Sequence, residues 1–208
     1  MKSIINKITS LKESSIADII KGRVESFKQV NKNSEEDVFS ELCFCILTAN
    51  FSAKGGIKIQ NALKNRFLNI SEDELKLELK KLGHRFPNAR AKYIVLAREK
   101  LSMLMKVLRE EDDENKIREW IVKNIKGIGY KEASHFLRNI GFENLAIIDF
   151  HIINLLVREG IVEKPKTMTR KAYLKIEDEL RKISQQTQIP LGELDLYLWY
   201  IETGTVMK

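Results

Sequence analysis

Between Asn124 and Ala133 the chain reads Asn-Ile-Lys-Gly-Ile-Gly-Tyr-Lys-Glu-Ala, and this stretch restricts the fold more tightly than any other. Gly127 and Gly129 flank a single aliphatic residue, and helical patterning stands on both sides. Glycine accepts φ > 0 and lets another backbone come close. The pattern predicts a helix–hairpin–helix element over about 115–140, with hairpin N–H groups facing outward. Such a hairpin, followed at once by a helix N-terminus, suits a phosphate. The plainer alternative is an ordinary turn between two packed helices.

The rest of the chain also reads as helical. Ile16, Ile19, Ile20, Val24 and Phe27 recur at helical spacing. Ser34 ahead of Glu35-Glu36-Asp37 reads as an N-cap with acidic residues on the helix dipole. Ser71-Glu72-Asp73-Glu74 reads as a capping box. Further helices are expected over roughly 53–67, 88–109, 114–124, 131–140, 150–159, 170–187 and 190–202. Gly141 should end the helix that Lys131 begins, and Glu159 to Thr169 reads as a connection. No segment reads as a strand, so the fold class is all-α.

Length and composition narrow the function classes. A chain of 208 residues, 43% hydrophobic, can fold as one compact unit or two small packed lobes. Its net charge of +7 is compatible with a polyanionic partner but discriminates little alone. The two cysteines, Cys43 and Cys45, lie in an apolar run and point to different helical faces. They read as core thiols in a reducing cytosol, and no cysteine cluster exists for iron–sulfur or structural zinc. The expected setting is the cytoplasm of a prokaryote, without a signal peptide or a membrane span.

Two residues could carry chemistry. Lys131 is either a phosphate-binding lysine or a nucleophile. A neutral amine can attack the sugar C1′ of a damaged nucleotide, displace the base and form a Schiff base. Asp149 stands before His151-Ile152-Ile153-Asn154 and would make a good helix N-cap. The same fixed carboxylate could stabilise positive charge developing on a sugar.

With these residues in place, the chain resembles the archaeal-type 8-oxoguanine DNA glycosylases/AP lyases of the helix–hairpin–helix DNA glycosylase superfamily. The resemblance runs over nearly the whole chain. It is carried by Glu41 to Asn50, Gly83-His84-Arg85-Phe86 with Arg90 to Ile94, Ile125 to Asn139, Asp149 with His151, Leu194 to Tyr200, and Lys208. It implies one catalytic unit over residues 1–208 with two interleaved helical lobes and DNA in the cleft between them. Lys131 falls at the family's nucleophile and Asp149 at its catalytic carboxylate.

Further roles follow from the resemblance. The damaged nucleotide is flipped into a pocket. Trp199 and Phe86 are candidates for stacking on it, with core packing as the alternative. Lys208 is a recognition candidate, and Asn50 either fills the vacated space in the duplex or caps a helix. Gly127, Gly129, Arg85, Arg90, Lys92 and His151 are the expected DNA contacts. No cofactor is required; a monovalent or calcium ion could sit on the backbone carbonyls of Lys123, Ile125 and Ile128. Phe150 departs from the pattern, since a basic residue is expected there. The implied partner is double-stranded DNA containing 8-oxoguanine or abasic sites, bound by a monomer. Two other readings stay open: a glycosylase/lyase for oxidised pyrimidines, and a non-enzymatic helix–hairpin–helix DNA-binding module.

Overall fold

The computed structural model describes residues 1–31 and 34–208. Among them are α-helices and one 3₁₀ helix, and no strand. The helices are α1 (Lys2–Lys12), α2 (Ser15–Asn31), α3 (Glu35–Thr48), α4 (Ala53–Leu63), α5 (Glu72–Lys81), α6 (Pro87–Arg98), α7 (Leu101–Glu110), α8 (Glu114–Asn124), α9 (Tyr130–Asn139), α10 (Phe150–Arg158), α11 (Arg170–Thr187) and α12 (Leu191–Thr203). The 3₁₀ helix spans Lys64–Leu68.

Apolar side chains gather into two clusters. One is built from α3 to α9, with Phe39, Leu42, Phe44, Ile94, Ile121 and Phe136 at its centre. The other joins α1 and α2 to the chain from Ala146 onward, through Ile4, Ile20, Phe27, Leu155, Tyr173 and Leu194. Fully burying a large apolar side chain contributes roughly 1.5–3 kcal/mol, so each cluster is a core in its own right. The chain therefore leaves the second cluster after α2, builds the first, and returns. α3 is buried on every face, as expected of a helix that is apolar all round. Both thiols on it are buried, and burial pushes Cys43 and Cys45 above the usual thiol value.

The expected helices differ from the observed ones in three places. The run 88–109 is two helices, α6 and α7, because the chain turns at Glu99 and Lys100, where the Lys100 N–H bonds the Ala97 carbonyl. No glycine or proline marks that turn. The end of the expected 53–67 helix tightens into the 3₁₀ helix, where Arg98 donates to the Phe67 and Ile70 carbonyls. Ser34 occupies the N-cap position of α3, but its hydroxyl donates to Asp37 and caps no N–H. Ser71 does cap α5, accepting from the Glu74 N–H. Gly141 follows the end of α9 with φ +93°.

Candidate active site

The hairpin joins α8 to α9 over Ile125–Gly129. Gly127 turns the chain at φ +87°, and a Cβ there would lie 2.4 Å from the Tyr93 ring of α6. Both its conformation and its packing exclude a side chain. Gly129 differs: its backbone is extended, it is exposed, and it serves as the N-cap of α9. Its N–H donates to Glu132 Oε2 at 3.3 Å, which ties the helix start to its own first turn.

α9 then carries Lys131, Glu132, His135 and Arg138 to the wall of a cavity of about 790 Å³. Ile147, Asp149, Phe150, His151, Asp195 and Trp199 line it from other elements, and Met207 and Lys208 line it as well. The cavity therefore lies where residues of the two apolar clusters face each other. Its size suits a single base or nucleoside-sized ligand.

Lys131 and Asp149 open on this one space from different elements. The Lys131 ammonium is 3.9 Å from Glu132 Oε1, and its side chain is 26% exposed, so solvent or substrate can reach it. Asp149 caps α10: its Oδ1 accepts from the Ile152 N–H at 3.0 Å. The cap fixes the carboxylate and uses one oxygen, leaving the other for the cavity. Capping and a chemical role are therefore compatible, as the spacing suggested.

Trp199 lines the cavity and meets the His151 ring edge-on at 5.0 Å. His151 in turn stacks against Phe150, which is 64% exposed beside the opening. Asn50 sits just past α3 in the left-handed conformation at φ +59°, exposed on the rim. The Lys208 ammonium is taken up inside: it donates to Glu41 Oε1 at 2.6 Å and Gln60 Oε1 at 2.8 Å, over the Phe44 ring. Asn139 donates to the other Glu41 oxygen. The side chain is thus a part-buried anchor that uses two of its three ammonium donors while still lining the cavity.

Two expected site residues are placed elsewhere. Phe86 is exposed and does not line the cavity; Arg85 lies over its ring at 5.1 Å. Arg90 is buried, donates to the Ala49 carbonyl and packs over Tyr93. Its role is to hold the end of α3 against α6. Arg85 and Lys92 are exposed. The Ile125 carbonyl accepts the Ile128 N–H at 3.4 Å and keeps one lone pair, so an ion there is compatible with the geometry. Among the described residues no group of His, Cys, Asp and Glu is arranged to hold a metal.

The cavity also contains groups the sequence reading passed over. His135 follows Lys131 by one helical turn, a spacing that puts both on one face. Asp195 and Trp199 are related in the same way on α12. Asp195 faces Arg138 at 3.6 Å, and burial pushes its carboxyl up to about 6, against the pull of Arg138 and with a push from Asp149.

Comparison with known proteins identifies the family. The sequence pattern described as 8-oxoguanine DNA glycosylase matches residues 20–189. The 8-oxoguanine DNA glycosylase/AP lyase of Korarchaeum cryptofilum is 52% identical over 99% of this chain and 98% of its own length. The Methanocaldococcus jannaschii 8-oxoguanine glycosylase/lyase, solved with a 15mer DNA containing 8-oxoguanine, superposes with a TM-score of 0.95 at 50% identity, covering 99% of this chain and 100% of that one. The 8-oxoguanine DNA glycosylase of Thermotoga maritima gives 0.93 at 41% identity, covering 100% and 99%. By pattern, identity and all-helical architecture together, this chain belongs to the 8-oxoguanine DNA glycosylase family.

Proposed function

We propose that this chain is a bifunctional DNA repair enzyme that excises 8-oxoguanine and then nicks the abasic strand. The observation that carries the proposal is the convergence of Lys131 and Asp149 on one cavity, large enough for a flipped nucleotide, beside the hairpin. The Lys131 amine attacks C1′ of the flipped nucleotide. The glycosidic bond breaks with its electron pair going to the departing base, which takes up a proton. Ring opening gives the Schiff base, and β-elimination releases the 3′ strand. Asp149, fixed by its cap to Ile152, sits where it can stabilise positive charge on the sugar.

The two apolar clusters act as the lobes of a single unit, with DNA lying across the cavity mouth. Gly127 and Gly129 present the hairpin to the backbone, with Arg85, Lys92 and His151 as further contacts. Phe150, exposed next to the mouth, offers an apolar surface where a basic residue was expected. Trp199 supplies the stacking wall, and Asn50 on the rim is placed to enter the space that the flipped base leaves. The chemistry runs on side chains without a cofactor; an ion on the Lys123, Ile125 and Ile128 carbonyls would only steady the hairpin against phosphate. No helix of the described residues is long and apolar enough to cross a membrane. The enzyme works as a monomer in the prokaryotic cytoplasm; residues of a single chain line the cavity.

Borohydride trapping on a duplex with one 8-oxoguanine opposite cytosine tests this reading. A covalent adduct is expected for wild type and none for Lys131→Gln. An adduct only with oxidised pyrimidines would move the substrate. DNA binding with no adduct on any lesion would leave a binding module.

A further inference from the structure

Phe150, the first residue of α10, is exposed at the mouth of the cavity. It packs into neither apolar cluster. A single exposed phenylalanine is ordinary on a protein surface. This one is held in place. Its ring stacks on the His151 ring at 3.8 Å, with 36° between the planes, and His151 meets Trp199 edge-on at 5.0 Å. One face of the Phe150 ring is therefore covered and the other is open. An aromatic side chain already held by a neighbour gives up little further freedom when a ligand covers it.

Its position restricts what can cover the open face. Asp149 directly precedes it, lining the cavity while capping α10 through the Ile152 N–H. For Asp149 to act on a sugar, that sugar has to sit at the mouth. Consecutive Cα atoms are about 3.8 Å apart, so Phe150 falls on the same strand, beside that sugar. A phenyl ring has neither charge nor donor for a phosphate. It can exclude water from the C–H edge of a deoxyribose. The bases on either side stay stacked in the duplex, so the sugar is the apolar surface within reach. In an intact duplex the sugars follow the helix contour. Extruding one nucleotide draws the adjoining backbone toward the mouth.

We propose that Phe150 grips the opened strand, its free face packing on the deoxyribose next to the flipped nucleotide and holding the reacting sugar near Asp149 and Lys131. This rests on the excision reading above and adds a contact made only with extruded DNA. Phosphate contacts hold any duplex and weaken as salt rises. An apolar contact releases no counterion, so the Phe150 contribution separates opened from intact DNA at every salt concentration.

The experiment measures equilibrium binding to two duplexes by fluorescence anisotropy over a range of salt. One duplex is intact. The other carries a tetrahydrofuran abasic analogue, which lacks the C1′ hydroxyl and forms no Schiff base. Wild type is expected to prefer the analogue duplex. Phe150→Ala should lower that preference by roughly 3- to 10-fold, with parallel salt slopes and little change on intact duplex. Phe150→Leu should recover part of the loss. Phe150→Lys should instead steepen the salt slope by about 0.9 on both duplexes. Thermal unfolding of Phe150→Ala should match wild type, since the ring packs into neither cluster; if it does not, Phe150→Leu against Phe150→Lys carries the comparison. A Phe150→Ala protein that keeps the full preference overturns the proposal, as does one that loses affinity equally for both duplexes. A wild type that binds both duplexes alike overturns the extrusion on which the excision reading depends, whatever the variants do.

Discussion

Two buried arginine–carboxylate pairs involve the helices around the hairpin, and they are built to different standards. Arg118 of α8 and Glu177 of α11 join the two apolar clusters. Two guanidinium nitrogens meet the two carboxylate oxygens at 2.6 and 2.9 Å. Ser134 and Asn115 accept further N–H groups from Arg118, and the Ala146 N–H donates to Glu177. The guanidinium also lies over the rings of Tyr130 and Tyr173. Arg138 and Asp195, on the cavity wall, are 3.6 Å apart, and Nε and Nη1 of Arg138 have no partner. The first pair lacks a partner only at Arg118 Nε and links the two clusters. The second is left short of partners where a ligand enters, and His135 and the Trp199 indole N–H share that condition. A satisfied network resists change, whereas an unsatisfied one is ready to be completed by something else.

The largest effect should come from breaking the better satisfied pair, Arg118 and Glu177. Glu177→Ala strands a buried guanidinium and the Ala146 N–H, and should cost about 3–5 kcal/mol in urea unfolding. A loss below about 1 kcal/mol would mean that the Arg118 site relaxes to water and that the contrast is false.

Asp195→Asn should act in the opposite direction. Burial raises the Asp195 carboxyl from its ordinary 3.8 to about 6, so the folded protein binds its proton more tightly than the unfolded chain does. The resulting stabilisation is full below about pH 3.8 and is lost as pH rises through about 6. At pH 7 the ionised carboxylate then costs roughly 3 kcal/mol relative to a neutral isostere. Asp195→Asn should therefore be more stable than wild type at pH 7, with the gap closing toward pH 4. Parallel stability curves across that range would show that Arg138 compensates Asp195 fully.

The contrast between the two regions also marks what the sequence could reveal. The hairpin was legible because its determinants are local: Gly127, Ile128 and Gly129 lie between two helical patterns. Asp149 was legible as a cap for the same reason. Arg85 and Arg90 looked alike, since only the position of the Ala49 carbonyl decides that Arg90 turns inward. Phe86 and Trp199 looked alike too, and tertiary placement put only Trp199 in the cavity. The turn between α6 and α7 has no glycine or proline to announce it. Glu41 and Lys208 pair across nearly the whole chain, so no local pattern signals that anchor. His135 was within reach of helical spacing from Lys131, but its lack of partners is a property of the folded protein.

The same contrast recurs on a small scale within the hairpin. Gly127 belongs to the packed side, at φ +87° with a Cβ position 2.4 Å from the Tyr93 ring. Gly127→Ala must strain the backbone and displace Tyr93, which stacks with the buried Arg90. A loss of about 1–3 kcal/mol is expected, with weaker binding to undamaged duplex. Gly129 belongs to the open side, where a Cβ would meet only Glu132 Oε2 at 3.3 Å, the end of a flexible side chain. Its extended backbone suits any residue, so Gly129→Ala should cost less than about 1 kcal/mol, from weaker N-capping alone. Thermal unfolding of the two variants side by side decides the matter. Equal losses would mean that the hairpin tolerates or rejects a side chain as a unit, and that its two glycines do not divide into a packed and an open position.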